Sequence, residues 1–479
     1  MGFRKESDFL GSVNVPSEAY YGVFTVRAGK NFQISGIKLS ENREFIRALG
    51  MAKVAAARAN MKLGLLDRKI GKTIEKAGLE VAAGKHDREF VLDVFTAGAG
   101  TPFNMCANEV ISNRALELMG RKRGDYATID PNNHANMSQS TNDVIPTVTR
   151  LSTLFLAEKT LKEAQGLEAG LRVKAKQFAK IVKSGRTHLQ DAVPITLGQE
   201  FEAWAEAVER DCEELECGLE GMLEIPLGGT ALGTGINTHP KYVKTVASEL
   251  SKISGYKFVP AKSLAELEQN MNPFVVVSGK LKCLAITLVR IANDLKLLAS
   301  GPKTAIGEII LPEVEPGSSI MPGKINPSIP EAVEMVGIQV ISNDNAVTMA
   351  SMGGQLDLNM LTPLIAYNLN ANCELLANTC KMFSEKCIRG IKADRKRIDE
   401  HLANSLTIGT ALNPYFGYGK MSALIKKALK EGKSLKQVIL EEKLLSESEL
   451  NRLLSPEKLT KPSLREGKLL KKIRGSKGA

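Results

Sequence analysis

The strongest constraint on the fold is an apolar seam between Phe274 and Ala299. Val277, Leu281, Leu284, Leu288, Ile291, Leu295 and Leu298 follow one another at alternating spacings of four and three. That repeat puts all seven on one stripe of an α-helix and predicts a rod of about 39 Å at ~1.5 Å per residue. A rod this long cannot bury its own stripe, so it needs partners along its whole length. Leu154, Ala157, Leu161, Ala164, Leu171, Ala175 and Phe178 give a weaker version of the repeat, interrupted at Glu168 and weakened by Gly166 and Gly170. Long helical segments also fit 193–222, 330–352 and 362–388. The predicted class is therefore all-α (mainly helical), organised as three domains around a central long-helix bundle.

The domains are read from where this pattern starts and stops. Residues 1–140 are mixed and mostly helical, with helices expected from near Ser40 to Leu66 and from about Asp67 to Gly84. They end in a polar stretch over 119–135. Residues 141–394 form the bundle. The charged, glycine-containing run from Arg389 to Asp399 reads as a hinge into a small helical domain, 395–455. Residues 456–479 form a basic tail.

Composition excludes several classes of function. Hydrophobic residues at 43% and charged residues at 24% are ordinary for a soluble globular protein. No run of about 18 apolar residues is present, so no membrane span is expected. The first residues lack the apolar core of a signal peptide, which makes a cytoplasmic protein the expectation. Seven cysteines without a CxxC pair argue against a disulfide framework or a zinc ribbon. Cys373, Cys380 and Cys387 recur every seven residues and read as buried on one helical face. The net charge of +11 suggests nucleic acid until it is located. Eight Lys/Arg against two Glu place +6 of it in the tail, so no nucleic-acid partner is expected.

The chemistry concentrates in Gly317-Ser318-Ser319-Ile320-Met321-Pro322-Gly323-Lys324-Ile325-Asn326-Pro327. Two glycines and two prolines in eleven residues forbid a regular helix or central strand, so this is a loop over 317–327. It offers hydroxyls, a fixed positive charge and an amide. A helix follows, with Pro330 and Glu331 in its first turn.

This loop resembles the signature GSSxMPxKxNP of the aspartase/fumarase superfamily at every fixed position. Four further segments resemble the same family in order: Gly98-Ala99-Gly100-Thr101, Ser138-Gln139-Ser140-Thr141-Asn142-Asp143, Gly185-Arg186-Thr187-His188-Leu189-Gln190-Asp191 and Gly233-Thr234-Gly235-Ile236-Asn237. The resemblance implies cleavage of a C–N or C–O bond in a fumaryl-type substrate. Ser318 would be the catalytic base, and Lys324 and Asn326 would hold a substrate carboxylate. His188, paired with Glu331, would meet the departing group. Thr101, Ser140, Thr141, Asn142, Thr187 and Ser319 would complete substrate binding. It also implies a small dicarboxylate substrate, no metal, no cofactor, and a homotetramer whose multi-helix core brings three subunits to each site.

Tyr20-Tyr21-Gly22-Val23, Ile329-Pro330-Glu331 and Leu412-Asn413-Pro414 resemble the aspartase branch, which deaminates L-aspartate. Gly228-Gly229-Thr230 and Thr238-His239-Pro240 look more like fumarase, the alternative. A catalytically silent structural relative is a third reading, opposed by the intact Ser318, Lys324, Asn326 and His188 set. Cys106 and Lys303 depart from the family's usual asparagine and arginine.

Overall fold

A computed structural model describes residues 2–462, 466, 467, 469, 470 and 473. The remaining part of the basic tail lies outside the described residues. The chain opens with β1 (Phe3–Asp8), paired antiparallel with β2 (Gly11–Pro16) so that Phe3 faces Pro16 and Asp8 faces Gly11. Four helices follow: α1 (Val23–Asn31), α2 (Arg43–Lys62), α3 (Arg68–Ala82) and α4 (Thr101–Leu118). The helix expected from near Ser40 begins at Arg43, because the Asn42 side chain accepts the N–H of Phe45 and sets the cap there. Asp67 does the same for α3 through Lys69 and Ile70.

The long helices come next, with shorter elements between them. They are α5 (Thr141–Phe178), then β3 (Val182–Thr187) and β4 (Gln190–Thr196), then α6 (Leu197–Leu219), α7 (Tyr242–Ser254), α8 (Leu264–Gln269), α9 (Asn272–Leu298), α10 (Ser328–Met352) and α11 (Thr362–Lys386). Every residue of the α9 seam is buried, and so is every residue named for α5. The three cysteines at heptad spacing are buried too. The protein is mainly α-helical, as its apolar spacing requires.

Two compact units divide the chain, with boundaries inside these rods. Unit 1 comprises Met1–Glu163, Asp211–Ile286 and Val336–Asn378. A polar network runs along the part of α10 that belongs to it. On α10, Gln339 donates to Asn343, Asn343 donates to Asn372, and buried Asp344 accepts from Ser278 and Lys282.

Unit 2 comprises Ala164–Arg210, Thr287–Met335 and Thr379–Ala479. It contains the β3–β4 hairpin, which replaces the start of the helix expected over 193–222. Pro194 lacks an N–H and cannot serve a helix interior, yet a strand with a nearby bulge at Ser184/Gly185 accommodates it. After α12 (Arg395–Asn404), short helices enclose a core of Ile408, Leu412, Phe416, Leu435, Val438 and Leu450. Leu469 and Ile473 of the basic tail are buried in that same core.

Candidate active site

The loop 317–327 folds back on itself. Gly317 N–H donates to the Lys324 carbonyl at 2.8 Å, and Asn326 Nδ2 donates to the Gly317 carbonyl at 2.6 Å. A Cβ on residue 317 would lie 2.5 Å from Asn326 N and 2.6 Å from Lys324 O, so only glycine permits this closure. Asn326 therefore spends one amide hydrogen on holding the loop.

Inside the turn, Ser318 Oγ accepts N–H from Ile320 at 3.2 Å and from Met321 at 2.9 Å. Two amide dipoles converge on one hydroxyl oxygen, which is the arrangement that stabilises negative charge developing there. Ser318 and Lys324 line one cavity of about 430 Å³, beside Glu313 and Glu315. Ser319 and Lys324 are exposed. Glu331 is also exposed, in the first turn of α10, with its N–H bonded to the Pro327 carbonyl.

Thr187 and His188 stand at the tip of the β3–β4 hairpin. His188 and Leu189 form the two-residue turn, with φ of 54° and 59°. Such turns demand positive φ and usually take Asn or Gly, so two side chains here mark a conformation held by its surroundings. The holding groups lie just below. Arg186 donates both terminal nitrogens to Glu308, at 3.0 and 2.7 Å. Fully buried Glu308 also meets Lys183 at 3.2 Å and His401 at 2.9 Å. Burial disfavours its charge, but Arg186, Lys183 and the hydrogen bond with His401 hold the carboxyl below its ordinary value. Among the described residues, no hydrogen bond or ion pair links His188 with Ser318 or Glu331.

The remaining expected residues lie in unit 1, at two helix starts. Thr101 opens α4 after Gly100, whose φ is 86°, and its hydroxyl donates to Gly98 O at 2.8 Å. Ser140, Thr141 and Asn142 open α5. Ser140 Oγ accepts the Asn142 N–H, and Thr141 Oγ1 accepts from Asn104 Nδ2 at 3.3 Å. Free N–H groups at a helix start favour an anion. Behind them Lys53 is completely buried and donates to Asn104, Asn136 and Gln139 at 2.6, 3.1 and 2.8 Å. Burial lowers its pKa to about 7. Among the described residues no group of three or more His, Cys, Asp or Glu side chains is placed to hold a metal ion.

The lyase family model matches residues 11–342, and the model for the fumarase C C-terminus matches 408–461. An aspartate ammonia-lyase of Bacillus subtilis (strain 168) is 44% identical over 98% of this chain and 98% of its own. The crystal structure of a fumarate lyase:delta crystallin from Brucella melitensis superposes with a TM-score of 0.94 at 45% identity. It covers 96% of this chain and all of its own. A class II fumarase from Schistosoma mansoni gives 0.90 at 36% identity, covering 95% and 98%. This chain belongs to the aspartase/fumarase superfamily.

Membership gives the two departures a structural setting. Cys106 stands where the superfamily usually has asparagine. It is fully buried on α4, near the Glu89 carbonyl at 3.6 Å, and burial pushes its thiol far above the ordinary range. It is thus an inert packing group. Lys303 lies exposed in the stretch before Glu308. Sequence reasoning assigned roles to Ser140, Thr141 and Asn142 and passed over Asp143, which the structure buries behind them. An acid three residues into a capping pattern is the signal that points to it.

Proposed function

We propose that this chain is an aspartate ammonia-lyase, a carbon–nitrogen lyase that converts L-aspartate to fumarate and ammonia. The observation that carries the reading is the 44% identity to an aspartate ammonia-lyase across nearly the whole of both chains, against 36% to a class II fumarase. The signature loop supports it chemically. Ser318 takes the Cβ proton, the electron pair forms the new C=C bond, and the C–N bond breaks to release ammonia. The hydroxyl is a poor base unless its alkoxide is stabilised, and the Ile320 and Met321 amides are aimed to do that. Each such donor is worth ~3–4 kcal/mol.

The substrate carboxylate gains negative charge as the proton leaves. Lys324, in the same cavity, neutralises it, with the second Asn326 amide hydrogen and Ser319 as directed donors. Thr101, Ser140, Thr141, Asn142 and Thr187 bind the remaining polar groups. His188 meets the departing ammonia, with Glu331 as its partner. These residues sit on separate elements, so a homotetramer assembling them from neighbouring subunits is part of the proposal. Met335, Ile338, Met349 and Met352 of α10 are exposed apolar side chains suited to cover by a second copy. No helix among the described residues is long and apolar enough to cross a membrane, and no disulfide joins any of the seven cysteines. We place the enzyme in the cytoplasm, where thiols stay reduced. Purified protein given L-aspartate should release fumarate and ammonia; release from L-malate alone would transfer the reading to fumarase.

A further inference from the structure

Two stretches of unit 1 far apart in sequence are joined by one buried carboxylate. Asp143 is fully buried. Its Oδ1 accepts the N–H of Ser140 at 2.9 Å. Its Oδ2 accepts the N–H of Gly228 at 2.9 Å and of Thr230 at 3.1 Å. The neighbouring Asn142 reaches the same loop, donating Nδ2 to the Ala231 carbonyl at 2.8 Å.

The loop needs such an anchor. Gly228, Thr230, Gly233 and Gly235 have φ of 103°, 60°, 77° and 68°. Thr230 is the costly member, because a branched side chain at positive φ persists only where its surroundings impose it. Its N–H is fixed by Asp143, and Gly229 packs so closely that a Cβ would lie 2.4 Å from Glu268 Oε1. Charge-assisted hydrogen bonds in a dry interior are strong, and water cannot replace them if the carboxylate goes.

We propose that Asp143 is a positioning residue that locks the helix-start segment Ser140–Asn142 to the loop 228–235, so that the segment is held rigidly where it meets the substrate. This rests on the aspartate ammonia-lyase reading. Asp143 is fully buried and both its oxygens are engaged by backbone N–H groups. It acts by presenting Ser140, Thr141 and Asn142, whose contacts hold the substrate before and during reaction alike. Its loss therefore weakens binding more than turnover.

The test is steady-state kinetics of Asp143→Asn with L-aspartate. The amide keeps the size but turns one acceptor into a donor, so either the Ser140 N–H or the loop pair loses its partner. We expect KM to rise about tenfold or more with kcat within about threefold. Mere loss of folded enzyme would lower kcat and leave KM alone. An unchanged KM in a folded variant, or a fall confined to kcat, overturns the proposal. Should the variant not fold, hydrogen exchange on the wild type decides. Saturating succinate should slow exchange in 138–143 and 226–235 together. Protection of the first stretch without the second overturns the linkage. A wild type that makes no fumarate from L-aspartate, yet shows joint protection, would sink the activity and not the linkage.

Discussion

At the scale of single residues, the account turns on Ser318 and Lys324. Ser318→Ala leaves the Ile320 and Met321 amides without the oxygen they serve. Turnover should drop by about a thousandfold or more while KM moves little, as steady-state rates would show. Lys324→Ala removes the fixed charge beside it, and kcat/KM should fall by about a hundredfold or more. A third residue makes a prediction about stability. Glu268 is fully buried on α8, and burial, with the charge of Asp143, raises its pKa from 4.5 to about 8. A carboxyl raised in this way contributes stability that is complete below about pH 4.5 and lost as pH climbs through about 8. Glu268→Gln cannot ionise. Its melting temperature relative to the wild type should therefore rise steadily between those limits, and a difference independent of pH would contradict the assignment.

At the scale of elements, two turns carry the proposed chemistry, and they are unequally legible. The 317–327 loop announces itself through its glycines and prolines, and Gly317 explains why. Gly317→Ala would drive a methyl into Asn326 N and Lys324 O. Activity should fall sharply with the melting temperature lowered only slightly, because the loop is largely exposed. The long helices were equally readable, since the α9 seam repeats without a break. The β3–β4 hairpin was not. Its turn is His188-Leu189 instead of Asn-Gly, and its inward side chains include Lys183, so neither turn chemistry nor alternation marks it. Its support comes from Glu308, more than a hundred residues away, which no local pattern reveals. Glu308→Ala would leave Lys183 buried without that partner. We expect a loss of about 3 kcal/mol in denaturant unfolding, of the size seen when one member of a buried pair is removed. Asp143 is legible only in part: the capping pattern points to its bond with Ser140, but its partners Gly228 and Thr230 lie far along the chain.

At the scale of the whole molecule, the residues assigned to one reaction are spread over helix starts, a hairpin tip and a loop, and subunit assembly is the proposed way of uniting them. Ile338→Glu on the exposed α10 face should lower the sedimentation coefficient and abolish activity together; an active monomer would refute shared sites. The central claim is that the 317–327 loop poises one hydroxyl and one ammonium to remove the Cβ proton of L-aspartate. Its most direct test is fumarate formation from L-aspartate by wild type and Ser318→Ala, each confirmed as the same oligomer. The wild type should release fumarate steadily and the variant almost none. Comparable release by both would contradict it.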